Sequence, residues 1–111
     1  MTYSVHQINR AERSILSLKI SNGKYIFTII DPKSKNKTRH GITVSAEDII
    51  RYKKGDGDIR DVIRTCSCEF YGITLFNEKF CYHALAVVKK LCEKGILSDE
   101  YNEMIRGDYN F

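Results

Sequence analysis

The sequence predicts an α+β domain, with a small antiparallel sheet early in the chain and its best helix late. Three observations lead there. Two β-rich runs flank an Asn-Gly dipeptide, a third run follows a Lys-rich connection, and the clearest 3.6-residue apolar stripe lies over 82–94. A chain of 111 residues makes one domain of ordinary size, and 42% apolar with 29% charged residues are globular proportions.

Each element has its own signal. Val5, Ile8 and Ala11 with Glu12 hint at a short helix before residue 14. Ile15, Leu16, Leu18 and Ile20 form one strand and residues 25–30 the next. They are joined by Ser21-Asn22-Gly23-Lys24, where a type I′ turn needs positive φ at both central positions. Pro32 closes the second strand because it cannot donate to a ladder. Residues 39–44 read as a third strand, and Ser45 as the N-cap of a helix over 46–52 with Glu47 and Asp48 in its first turn. Residues 59–65 read as a strand through Val62 and Ile63, with Asp61 against it. Ala84, Leu85, Val88, Leu91 and Cys92 line one face of the late helix. Gly95 and Ile96 are placed for a Schellman stop. Ser98 is the expected cap of a last short helix over 99–106, stopped at Gly107.

Composition narrows the function classes. No apolar run approaches the ~18 residues of a membrane span, and Met-Thr-Tyr-Ser-Val-His-Gln is not a secretory signal. The expected location is therefore intracellular, cytoplasmic or nucleoid/nuclear, where thiols stay reduced. The net charge of +4 is unevenly placed. Residues 33–64 hold nine basic and five acidic groups, a surplus as large as that of the whole chain, while residues 65–111 are net acidic. That distribution suits a polyanionic partner, or a solubilising surface.

The decisive residues are Cys66-Ser67-Cys68 and Cys81-Tyr82-His83. Three thiolates and one imidazole suit tetrahedral Zn²⁺. Residues two apart in an extended chain point to one face, so Cys66 and Cys68 can reach one ion. Within a helix positions i and i+2 diverge, so Cys81 must precede the helix and His83 lie in its first turn, with thiolate charge at the helix N-terminus. Four protein ligands leave no open position, so the zinc is expected to be structural, one ion per chain. A disulfide framework would need an oxidising compartment, and a catalytic Cys81–His83 dyad a free thiolate that zinc ligation would consume. Cys92 reads as a buried core residue on the helix stripe, His6 and His40 as surface histidines, and Asp56, Asp58 and Asp61 as a turn rather than a calcium loop.

CxC, a spacer, then CxH leading into an apolar helix resembles the SWIM zinc finger. This family occurs in chromatin-remodelling ATPases, Mutator-type transposases and accessory proteins of homologous recombination. Thr65, Phe70 and the run Cys81-Tyr82-His83-Ala84-Leu85-Ala86-Val87 are similar to the family pattern over residues 63–92. Two positions depart from it: Glu69 stands where proline is common, and Tyr82 where a basic residue is common. The resemblance implies a ββα zinc-binding unit appended to the small sheet, with ligands Cys66, Cys68, Cys81 and His83. Within the single domain 1–111 it separates a β-rich region over 1–62 with a basic segment 33–54, a zinc finger over 63–94, and a short helix with tail over 95–111.

Lys33, Lys35, Lys37 and Arg39 alternate along one edge of an extended segment, and Arg51, Tyr52, Lys53 and Lys54 follow. Lys89 and Lys90 lie opposite the apolar stripe of the late helix. These residues are candidate phosphate contacts, with Tyr52 a candidate stacking surface for an unpaired base, or else a solvated face. No general acid–base pair, phosphate-binding glycine loop or nucleophile–base pair stands out, so a non-enzymatic module is expected, with no small-molecule substrate. Three readings stay open. One is a zinc-stabilised module contacting DNA through its backbone in recombination, repair or transcription, single strands or junctions preferred. Another is a protein–protein adaptor, such as a recombinase-paralogue partner, offering Ile49, Ile50, Tyr101, Met104 and Ile105. The third is an accessory fragment of a transposase-like mobile-element protein.

Overall fold

The structure, a computed structural model, describes residues 3–30, 39–64, 66 and 80–107. Its elements are α1 (Val5–Arg13), β1 (Ile15–Ser21), β2 (Lys24–Ile30), β3 (Arg39–Ser45), α2 (Ala46–Lys53), α3 (Ile59–Val62), α4 (Tyr82–Glu93) and α5 (Glu100–Arg106). The fold is α+β, with one antiparallel sheet in the order β1-β2-β3. Thr65, Cys68, Glu69, Phe70, Lys33, Lys35 and Lys37 lie outside the described residues, as does most of the expected zinc-binding ββ segment.

The hairpin forms as the Asn-Gly signal requires: Asn22 has φ 51° and Gly23 φ 72°, and Ser21 pairs with Lys24. The register then runs without a bulge, so alternate residues share a face. Leu16, Leu18, Phe27, Ile29, Ile42 and Val44 face inward, and the last four are buried. The Gly23 carbonyl also accepts the Ala46 N–H at 2.8 Å, so the turn satisfies the first amide of α2. Ser45 occupies the N-cap position as expected, but its side chain makes no capping hydrogen bond.

α4 packs against α1, α5 and β3, and every residue from His83 to Val88 is buried. A helix covered on several sides needs apolar residues around most of its circumference, which is why its sequence exceeds a single stripe. It ends in a full Schellman motif: Gly95 at φ 75°, its N–H on the Cys92 carbonyl, and the Ile96 N–H on the Leu91 carbonyl. Cys92 is only half-buried rather than a core residue, although burial still raises its thiol pKa.

Other expectations are corrected. Residues 59–62 form a helical turn, not a strand. Asp58 accepts from the Arg60 N–H and the Asp61 carboxylate accepts from the Asp58 N–H, a capping box that turns the backbone before Val62 and Ile63 enter the core. The last helix is capped at Asp99, not Ser98, whose N–H donates instead to the Glu100 carboxylate at 2.7 Å. The apolar patch expected for an adaptor is not a surface. Ile49, Tyr101 and Met104 are buried and Ile105 is half-buried, leaving Ile50 exposed. Tyr101 lies inward because its ring packs in the core while its hydroxyl donates to Glu12 of α1 at 3.0 Å. No helix among the described residues is long and apolar enough to cross a membrane.

Candidate metal centre

Cys66, Cys81 and His83 converge at the N-terminus of α4. Their ligand atoms all lie within 4.8 Å of one another, and the residues are 7%, 3% and 3% exposed. Donors about 2.0–2.3 Å from one tetrahedral ion stand roughly 3.5–3.8 Å apart, so a small inward adjustment closes the three around Zn²⁺. Both His83 ring nitrogens are buried with no hydrogen-bond partner among the described residues. Burying an imidazole in that state costs about 1–3 kcal/mol unless something binds it. Two thiols beside an orphaned, buried imidazole are a donor set that fits a zinc ion.

The local sequence sets this arrangement. Cys81 is extended (φ −65°, ψ 163°) and occupies the N-cap of α4, where its Sγ accepts the Ala84 N–H at 3.5 Å. A thiolate there lies at the positive end of the helix dipole. His83 follows at the second helical position, turned inward with Ala84 and Val87. Cys66 arrives from α3 on a segment tied to α2, because Arg64 grips Asp48 with two nitrogens at 3.1 and 3.2 Å.

Three residues far away in sequence complete the surroundings. The Tyr3 hydroxyl accepts the N–H of fully buried Phe80. Burial raises the Tyr3 phenol well above its usual range; the Phe80 hydrogen bond opposes the shift and nearby Cys81 adds to it. The His40 ring stacks on His83 with centroids 4.1 Å apart and planes at 39°. Tyr82 lies against the same ring at 4.0 Å, and the Arg10 guanidinium sits 4.5 Å from the Tyr82 centroid. Arg10, Tyr82, His83 and His40 thus form a column from α1 to β3. His40 is held below the ordinary imidazole range, first by burial, then by His83 beside it, with Cys66 opposing. His40 is therefore not the surface histidine expected from its sequence. It shares the alternation of Ile42 and Val44, and that parity is the signal for its inward face. At Tyr82, where the resemblance has a basic residue, Arg10 brings a guanidinium from another helix.

The candidate phosphate contacts scatter. Arg39, Lys53 and Lys54 are exposed, and none pairs with a carboxylate among the described residues. Arg51 bonds Glu47 at 2.9 Å. Lys89 and Lys90 share Glu93 at 2.8 and 3.7 Å, and the Lys89 hydrogen bond holds that carboxyl below its usual range. Tyr52 is half-buried against the core, its hydroxyl donating to Glu100 at 2.9 Å, and so offers no free ring for base stacking.

No curated protein and no solved structure matches the chain significantly. The SWIM zinc finger family model matches residues 43–92, a span that contains Cys66, Cys81 and His83 and begins within β3. Zinc is the metal this family implies, and the donor set of Cys66, Cys81 and His83 fits it, so residues 43–92 are similar to a zinc-binding SWIM module.

Proposed function

We propose that the chain is a non-enzymatic, intracellular module whose zinc is structural and whose basic surface binds the DNA backbone without reading sequence, in recombination, repair or transcription. The zinc ligands are Cys66, Cys81 and His83 with Cys68 as the fourth, so the ion has no open position for chemistry. The observation that carries the DNA reading is the separation of charge from metal. The +4 surplus lies in residues 33–64, largely ahead of the ligands, and Arg39, Lys53 and Lys54 stand in solvent without carboxylate partners among the described residues. Phosphate is the counter-charge such a segment suits. With its hydroxyl engaged by Glu100, Tyr52 does not support stacking on unpaired bases.

Titration of fluorescein-labelled duplex and single-stranded DNA with zinc-loaded protein, across a series of salt concentrations, tests this. Affinity should fall with a log–log slope of several units. No binding at the lowest salt would end the DNA reading while leaving the zinc site standing.

A further inference from the structure

We propose that the outer face of the three-stranded sheet is the DNA contact surface, with Lys19, Lys24 and Arg39 as its phosphate contacts. The inference rests on the DNA reading above and assigns it a place.

The register defines this face. It carries Ile15, Ser17, Lys19 and Ser21 from β1, Lys24, Ile26, Thr28 and Ile30 from β2, and Arg39, Gly41, Thr43 and Ser45 from β3. None of these side chains is acidic. Lys19, Lys24 and Arg39 are exposed, and none pairs with a carboxylate among the described residues. Two of the three, Lys19 and Lys24, lie ahead of the basic segment and were not candidates from the sequence. Only the folded register brings them together with Arg39.

The rest of the face suits a backbone ligand. Ser17, Thr28 and Thr43 offer hydroxyls, groups that hydrogen-bond phosphate oxygens. At Gly41 a Cβ would meet nothing within 4 Å, so the face is open where a strand of DNA would cross it. Lys24 and Arg39 stand at opposite ends of paired strands, about 20 Å apart at ~3.4 Å per residue, a reach of several phosphates. No aromatic side chain lies on this face, so it supplies no stacking term. It should grip duplex and single strands through charge alone. On the other side of β3, the strand that carries Arg39, the candidate metal ligand His83 packs on His40.

The experiment is the same titration on three zinc-loaded proteins: unsubstituted, K19T/K24T/R39T, and K53Q/K54Q. Threonine keeps strand preference while removing charge. Each cation that neutralises a phosphate contributes ~0.7–0.9 to the salt slope, so the sheet variant should lose about 2–3 units and K53Q/K54Q less. The charge-retaining K19R/K24R/R39K should keep the slope. If the triple variant melts early or loses zinc, K19T and R39T read the effect singly, at about one unit each. Binding by the unsubstituted protein with an unchanged slope in the sheet variant overturns this inference and spares the DNA reading. So does a larger loss in K53Q/K54Q, or a tenfold preference for single strands. Absence of binding by the unsubstituted protein removes both.

Discussion

The two faces of one sheet are built from the same strands and differ in everything else. Along β3, His40, Ile42 and Val44 point into a core that contains the metal ligands, while Arg39, Gly41 and Thr43 point to solvent. The inner face is apolar and tied by ring contact to His83; the outer face is hydroxyl-rich and cationic, with Lys19, Lys24, Arg39, Gly41 and Thr43 exposed. A period of two residues thus separates the chemistry that holds the fold from the chemistry available to a partner. The difference teaches that zinc at such a site can govern a surface it never touches, by fixing the strand whose other side is that surface.

The comparison is broken most severely at the metal. Cys81→Ser should abolish stoichiometric zinc by elemental analysis and remove the cooperative thermal transition. Structural zinc contributes about 10–16 kcal/mol in finger-sized units, as much as the whole stability of a domain. Next comes the inner face itself: Phe27→Ala should cost about 3–5 kcal/mol in urea unfolding, whereas its outward neighbour Thr28→Ala should stay within about 1 kcal/mol. Equal costs would show that both faces are core. Tyr3→Phe deprives the buried Phe80 N–H of its acceptor and should cost about 1–3 kcal/mol, with faster zinc loss to a chelator. His40→Ala should speed chelator extraction about tenfold and shift the visible spectrum of the cobalt-substituted protein. His40→Phe, which keeps a ring against His83, should restore both; an unchanged spectrum in His40→Ala would detach the inner face from the metal. A local effect that leaves the metal in place is expected at Gly57. Its φ is 131°, and a Cβ there would meet the Asp61 carboxylate at 2.7 Å, so Gly57→Ala should loosen the α3 cap by about 1–2 kcal/mol with zinc retained.

Much of this was legible in the chain. Asn22-Gly23 specified both positive-φ turn residues, Gly95 its Schellman stop, and the Cys81-x-His83 spacing placed one donor on the cap and the other inside the helix. Other features were not legible, for identifiable reasons. Val62 and Ile63 carry strand propensity, but Asp58 and Asp61 form a local capping box and win. Tyr101 and Met104 look like a free helix face until α5 is seen packed on α4. Tyr3 and Arg10 belong to the metal's surroundings through contacts no local pattern announces, and Lys19 joins Arg39 only through the register of two ladders.

The tether between Tyr3 and Phe80 has a consequence for the order of assembly. Phe80 lies 77 residues beyond Tyr3, Tyr82 lies 72 beyond Arg10, and Tyr101 lies 89 beyond Glu12. The β1–β2 hairpin can close in about 1–10 μs once its residues exist. At ~5–20 residues per second of synthesis, α1 waits about 4–14 s for Tyr82 to be made. α1 thus docks on α4 only after residue 82 has been made, and until then its Ala11 lacks the packing it has in the fold.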